Sequence, residues 1–233
     1  MNWNELVLQC CERVGPDFWA EPFNAVSNGA FLIAAGFALA LWRRCGRRDL
    51  PALFLILIAF AVGAGSFLFH TFAVRWAWLA DVVPIGLFIA GYLVLALVRF
   101  LGLGLLGAIL WLAAFEALSV GAIRAFPPDF LNRAAGYLPA IAGLVVIGGL
   151  VMARRYGDAP NQRFAPERDR ATGRALFLAA GLFTLSLAFR VIDLPICQAF
   201  PIGTHFVWHL LNALVLYVLL RAAIVHAGKT PVP

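Results

Sequence analysis

The chain has 233 residues, of which 63% are hydrophobic and only 13% are charged, and its formal net charge is +6. A soluble globular domain carries about 25% charged residues, so this composition excludes an ordinary soluble protein. The positive charge does not indicate nucleic-acid binding, because the basic residues cluster between hydrophobic segments, as they do in oriented membrane proteins.

Seven apolar segments are each long enough to cross a bilayer, which takes roughly 20 residues. They lie at about residues 24–42, 51–70, 77–98, 101–123, 136–153, 173–192 and 204–222. The connections between them are too short to form a second domain. The sequence therefore predicts an all-α fold: one seven-helix membrane domain over residues 1–233, with residues 1–23 as an outer N-terminal segment.

Clusters of basic residues predict how these spans are oriented. One cluster follows the first span, at residues 43–48, and another follows the fifth, at residues 154–174. Placing these ends in the cytoplasm puts most of the 18 Lys and Arg residues inside, as the positive-inside rule requires. We therefore expect an outer N-terminus and an inner C-terminus, in the inner (cell) membrane of a bacterium.

Four carboxylates precede the first span, and the three nearest to it are Glu12, Asp17 and Glu21. Carboxylates with nearby amide or backbone oxygens suit a hard cation such as calcium. The alternative interpretation is a solvated acidic surface. Both interpretations remain open at this point.

The second and third spans carry polar residues at the ends predicted to face outward. Ser66 and His70 are four residues apart on one helical face, and Asp81 opens the next span eleven residues after His70. Ionisable groups within spans are costly and usually mark a functional site. Asp81 is a candidate metal ligand, histidine partner or general base, while Ser66 either bonds to its own helix or orients water.

The fourth span contains one further carboxylate, Glu116. It lies far enough along an outward-running helix to face the same outer region as Asp81. The alternative is a hydrogen-bonded carboxyl with a structural role.

The last span opens with His205 and His209, which are spaced i and i+4 on one helical face. With His70 they form the facial set of three imidazoles that zinc prefers, leaving a fourth position open to water as in hydrolytic sites. The alternative is that each histidine is an interfacial or hydrogen-bonding residue. All three fall at the same predicted membrane level, so the sequence predicts a zinc site near the outer face.

Together these motifs resemble those of the alkaline ceramidases. Residues 21–28, Glu-Pro-Phe-Asn-Ala-Val-Ser-Asn, look like the E-x-x-N-x-x-S-N opening of that family. Ser66-x-x-x-His70, Asp81 and His205-x-x-x-His209 follow in the family's order and spacing. The resemblance covers nearly the whole chain. The wider seven-helix superfamily also includes relatives of progestin and adiponectin receptors.

The resemblance implies a hydrolase of sphingolipid metabolism that cleaves the ceramide amide to a sphingoid base and a fatty acid. His70, His205 and His209 would bind zinc, and Ser66 and Asp81 would contact or activate water. The lipid substrate would enter from the bilayer, and no protein partner is predicted.

The resemblance also implies a calcium site in the N-terminal segment. Glu12 and Glu21 correspond to two family carboxylates, and Asp17 is a candidate substitute for a third ligand. Gln9 and Val14, however, stand where the family has an aspartate and an asparagine.

Two other functions remain open. One is a zinc hydrolase that acts on another lipid amide or ester. The other is a seven-helix receptor or sensor with a structural zinc ion. A cysteine ligand beside the histidines would favour the structural zinc, and the sequence does not lead us to expect one.

Three cysteines fall on the side predicted to be outside, where disulfides persist. Cys11 precedes Glu12 as a family cysteine precedes its acidic residue, and Cys197 lies just before the last span. We expect a Cys11–Cys197 disulfide, with Cys10 as the alternative partner of Cys197. Such a bridge would hold the N-terminal segment over the metal site.

Overall fold

The structure is a computed structural model that describes residues 2–46, 48–127, 130–154 and 165–227. Its helices are α1 Pro22–Ser27, α2 Gly29–Arg44, α3 Leu50–Phe72, α4 Arg75–Arg99, α5 Leu105–Ala125, α6 Leu138–Met152, α7 Ala165–Ile192 and α8 His205–Ala227. In the described ranges seven helices are long and apolar enough to cross a membrane, with α1 and α2 together forming the first. The fifth, Ala135–Met152, consists of a short 3-10 helix followed by α6. The prediction of an all-α chain with seven such helices is confirmed.

Two helices begin elsewhere than the hydrophobic segments predict. The fourth span was expected from residue 101, but α5 begins at Leu105, because the chain turns at Gly102, whose φ is +73°. The sixth was expected from residue 173, but α7 begins at Ala165. Its first turns contain charged residues, so a search for apolar segments does not detect them.

The helices form a closed ring in chain order. Each of α2 to α8 packs against the next, and α8 returns to pack against α2. Helix α8 also contacts α3, and the ring of His205, at the start of α8, lies 5.1 Å from the ring of His70, near the end of α3. We call this end of the ring the site end.

The N-terminal segment, residues 2–21, runs across the site end. Leu6 forms an isolated antiparallel bridge with Val74, between α3 and α4. The amide of Val7 donates to the carbonyl of Ala73 at 2.8 Å, and the amide of Arg75 donates to the carbonyl of Glu5 at 3.0 Å. These bonds hold the segment against the turn that follows His70.

Helices α3 and α4 approach closely at one glycine. A Cβ atom on Gly65 would lie 1.9 Å from the carbonyl oxygen of Ala80, so only glycine permits this contact. Ser66 follows Gly65 and Asp81 follows Ala80. The close approach therefore brings the two polar residues together across the helix pair.

Candidate metal centre

The three predicted histidines meet at the site end. The ring centroid of His70 lies 5.1 Å from that of His205 and 4.7 Å from that of His209, and the two α8 rings are 4.7 Å apart. All three are buried, with exposed fractions of 0%, 5% and 2%. Helix α3 provides the first, and successive turns of α8 provide the other two. The structure thus brings together the imidazoles that the spacing singled out.

His70 is held by a carboxylate from the N-terminal segment. Its Nδ1 atom lies 2.6 Å from Oε2 of Glu21, which favours the tautomer with the proton on Nδ1. Its Nε2 atom is buried and has no hydrogen-bond partner among the described residues. Metal-binding histidines in proteins are commonly oriented in this way, with one ring nitrogen bonded to a carboxylate and the other available to an ion.

His209 is held in a similar way by a hydroxyl. Its Nδ1 atom lies 2.8 Å from Oγ of Ser27, and that hydroxyl donates its proton to the carbonyl of Asn24 at 2.8 Å. Because the hydroxyl proton is used there, Ser27 accepts from Nδ1–H of His209. The lone pair of His209 is then on Nε2, the nitrogen left for a metal.

A fourth potential ligand, Cys10, was not anticipated. The ligand atoms of Cys10, His70 and His205 all lie within 4.8 Å of one another, and His209 lies beside this group. The sequence assigns Cys10 only as an alternative disulfide partner, whereas the structure places its thiol beside His70 and His205. Burial, together with the negative charges of Glu21 and Asp193, raises the pKa of the Cys10 thiol.

Two bonds fix Cys10 beside His205. The structure joins Cys11 and Cys197 in a disulfide with their Cα atoms 5.4 Å apart, as the sequence predicts. The amide of Cys11 also donates to Oδ2 of Asp193 at 3.0 Å. Oδ1 of Asp193 accepts from the amides of Thr204 and His205, at 2.7 and 2.9 Å, and so caps α8.

The predicted calcium residues are engaged in other contacts. The carboxylate of Glu21 is paired with the buried guanidinium of Arg13 as well as with His70. The guanidinium also donates to the carbonyls of Gly15, at 3.0 Å, and His70, at 2.9 Å. Burial would raise the pKa of Glu21, but the hydrogen bonds from His70, Arg13 and Asn24 outweigh it and lower the pKa to about 2.

The other two carboxylates do not complete a calcium site. Glu12 accepts from the amides of Phe23 and Asn24, at 2.7 and 2.9 Å, at the start of α1. Burial raises the pKa of Glu12, and these two hydrogen bonds only partly offset that effect. Asp17 is exposed and contributes its carbonyl to Arg13 at 3.3 Å. These residues therefore do not fit a calcium ion, because an arginine already supplies the positive charge.

A cavity extends from the histidines into the ring of helices. Ser66, Asp81, His205 and His209 line it at the site end, and Ala96 lines it 15 residues beyond Asp81, roughly 22 Å along the axis of α4. The apolar lining includes Phe31, Phe88, Leu93, Leu144, Phe183 and Leu216. The shape and lining suit a long apolar molecule with a polar group at the histidines.

The carboxylate of Asp81 faces this cavity. Its Oδ1 atom is buried and has no hydrogen-bond partner in the part of the chain that the structure describes. The neighbouring Ser66 is buried, with 3% of its surface exposed. By contrast, Glu116 is exposed and does not line the cavity, so it faces away from the region occupied by Asp81.

Reasoning from the sequence missed several residues that form the site. Arg13 pairs with Glu21, and Tyr137 and Arg190 line the cavity, but none of the three is among the predicted site residues. The guanidinium of Arg190 lies 5.3 Å from the ring centroid of Trp208. The one available signal was Cys10: if Cys11 pairs with Cys197, then the adjacent thiol is left near the site.

The chain matches no protein-family model and no curated protein sequence. The resemblance to alkaline ceramidases therefore stays a proposal that rests on the motifs of the sequence.

Proposed function

We propose that the protein is an intramembrane zinc-dependent amidase of the alkaline ceramidase type, which hydrolyses ceramide to a sphingoid base and a free fatty acid. One observation carries the proposal: three buried imidazoles meet at the head of an apolar cavity that also holds Ser66 and Asp81. A lipid amide has the matching form, since a polar linkage joins long apolar chains.

The donor set fits zinc. Three imidazoles from two helices, with Nε2 of His70 buried and unpartnered among the described residues, are the ligands that this ion prefers. A bound zinc ion would act as a Lewis acid and lower the pKa of water toward about 7, making a nucleophile available near neutral pH. Glu21 and Ser27 would keep His70 and His209 in the tautomers that leave Nε2 free.

Asp81 and Ser66 would supply the proton transfer and the stabilisation of negative charge that amide hydrolysis requires. The buried carboxylate of Asp81 would accept a proton from the attacking water and pass it to the nitrogen of the leaving amine. The hydroxyl of Ser66 would donate to the amide carbonyl oxygen as negative charge develops there. The atoms balance, because the water supplies one proton to the amine nitrogen and its hydroxyl group to the fatty acid as the C–N bond breaks.

The cavity and the composition support a lipid substrate taken directly from the bilayer. The cavity is lined mainly by apolar side chains from helices long enough to cross a membrane. The basic clusters support a location in the inner membrane with the site end facing outward.

Cys10 favours a second candidate function. Four protein ligands close a zinc site, whereas catalytic sites keep one position open. If the thiol stays bound throughout, the chain is a seven-helix receptor or sensor with a structural zinc ion. The two candidates differ in one property, since only the amidase cleaves a lipid.

The test is a hydrolysis screen with purified protein in lipid nanodiscs. Ceramide, a fatty ester and a phospholipid are each incubated with the zinc-loaded protein, and the released acids and amines are quantified by mass spectrometry. We expect cleavage of ceramide, and a loss of about 10²-fold or more in Asp81→Asn with zinc retained. Cleavage of the ester or phospholipid alone would move the function to another lipid hydrolase. No product from any lipid at full zinc content would favour the sensor.

A further inference from the structure

We infer that Cys10 is a ligand of the metal, as a thiolate that joins His70, His205 and His209. This inference rests on the proposed metal centre but not on the hydrolytic reaction. It changes the site from three imidazoles with an open position to a mixed sulfur and nitrogen set that is closed at rest.

The first observation is the spacing of the donor atoms. The ligand atoms of Cys10, His70 and His205 lie within 4.8 Å of one another, and the ring of His209 is 4.7 Å from each of the other two rings. Around a tetrahedral zinc ion, with bonds of about 2.0–2.3 Å, neighbouring donor atoms are roughly 3.5 Å apart. Cys10, His70 and His205 therefore need only small inward movements to share one ion, and the ring of His209 lies beside them.

The second observation is the unsatisfied nitrogen of His70. Its Nε2 atom is fully buried and has no hydrogen-bond partner among the described residues, although Nδ1 is engaged by Glu21. Buried polar atoms in folded proteins nearly always have a partner. A protonated thiol is only a weak donor and would satisfy this nitrogen poorly. A cation held between the thiolate and the imidazoles satisfies it fully.

The third observation is that Cys10 is fixed in place. The next residue, Cys11, is bonded to Cys197 and donates its amide to Asp193, the residue that also caps the helix carrying His205. Cys10 is 8% exposed. The same disulfide and Asp193 hydrogen bonds therefore hold both the thiol of Cys10 and the imidazole of His205. Cys10 does not leave the site unless these bonds break.

The assignment has two chemical consequences. A sulfur donor favours zinc or cobalt over magnesium, manganese and calcium, which prefer oxygen ligands. Binding also releases the thiol proton to the solvent, so metal uptake is accompanied by the loss of one proton from Cys10. In the proposed amidase, the thiolate then occupies the position that water needs, and it must be displaced before hydrolysis.

The test is spectroscopic and uses the full chain with its disulfide intact. Metal-free protein is loaded with one equivalent of Co²⁺, and the near-ultraviolet band that arises from thiolate-to-cobalt charge transfer is recorded. We expect the band in the wild type, its loss in Cys10→Ser, and its retention in Cys45→Ser, because Cys45 is the exposed free cysteine at the opposite end. A band of unchanged intensity in Cys10→Ser would overturn the assignment.

X-ray absorption at the zinc edge of the wild type covers the case in which Cys10→Ser does not fold. A sulfur neighbour at about 2.3 Å supports the inference, and a shell of nitrogen and oxygen alone contradicts it. Hydrolysis measured on the same samples separates this inference from the proposed function. A thiolate ligand without hydrolysis contradicts only the amidase, and hydrolysis without a thiolate ligand contradicts only the role of Cys10.

Discussion

Single side chains at the site end link the N-terminal segment to the histidines. The carboxylate of Glu21 accepts a hydrogen bond from His70 and pairs with Arg13. The guanidinium of Arg13 in turn donates to the backbone carbonyl of His70. The carboxylate and the guanidinium are both buried, so each neutralises the other where an isolated charge would be costly. Glu21 and Arg13 therefore hold His70 in position, and a cation bound in the N-terminal segment is not needed for this.

The first prediction at this scale concerns Ser27. Replacing Ser27 with Ala removes the acceptor for Nδ1–H of His209 and frees the ring to change tautomer. We expect the affinity for zinc to fall by about 10-fold to 100-fold, the usual effect of losing a partner of a metal ligand. Competition with a zinc-binding dye measures it. Ser119→Ala is the matched control, because that hydroxyl donates to the carbonyl of Phe115 within α5, and an equal loss of zinc affinity there would contradict the role of Ser27.

The second prediction concerns calcium. Because Arg13 supplies the positive charge beside Glu21, millimolar calcium should leave the melting temperature unchanged. Arg13→Ala leaves a buried carboxylate unpaired and should lower the free energy of unfolding by about 3–5 kcal/mol. Arg75→Ala, which removes a more exposed pair with Glu5, should cost less than about 1 kcal/mol. Strong stabilisation of the wild type by calcium would contradict this reading.

At the scale of elements, the pair α3 and α4 sets the distance between Ser66 and Asp81. The contact of Gly65 with the carbonyl of Ala80 lets the two helix backbones meet at the level of these residues. The hydrophobic pattern predicts both helices but not this contact, because the contact depends on one of the two glycines in α3.

Gly65→Ala tests the contact. The added Cβ would lie 1.9 Å from the carbonyl oxygen of Ala80, so the helices must separate and the two polar residues must move apart. We expect a lower melting temperature and a loss of turnover of at least about 10²-fold, the scale of acid–base assistance. Gly86→Ala is the control on α4, where an added Cβ meets no atom within 4 Å. Full activity in Gly65→Ala would refute the role of the contact.

The parts of the site that the sequence predicts are those with regular spacing. His205 and His209 share a helical face, and the position of His70 follows from the order of the spans. The roles of Arg13 and Cys10 cannot be predicted from helical spacing, because the N-terminal segment is irregular and its contacts depend on how it crosses the helix ends. For the same reason the acids suggested a metal ion, although their actual partners are an arginine and backbone amides.

At the scale of the whole molecule, the basic clusters predict that the site end faces outward. Cys45 tests this orientation, since it is exposed and free and lies after α2, at the opposite end of that helix from α1. A membrane-impermeant maleimide should label Cys45 in inverted membrane vesicles and leave it unlabelled in right-side-out vesicles. Cys45→Ala controls for reaction at Cys10, which is buried. Labelling from the outer side alone would reverse the proposed orientation.

In the proposed function, zinc bound by the three histidines is required for the cleavage of a lipid amide. The most direct test is the release of fatty acid from ceramide by metal-free protein before and after one equivalent of zinc is added. We expect zinc to restore turnover in the wild type and to have no effect in the His205→Ala/His209→Ala double variant. Equal turnover with and without zinc, or full restoration in the double variant, would contradict it.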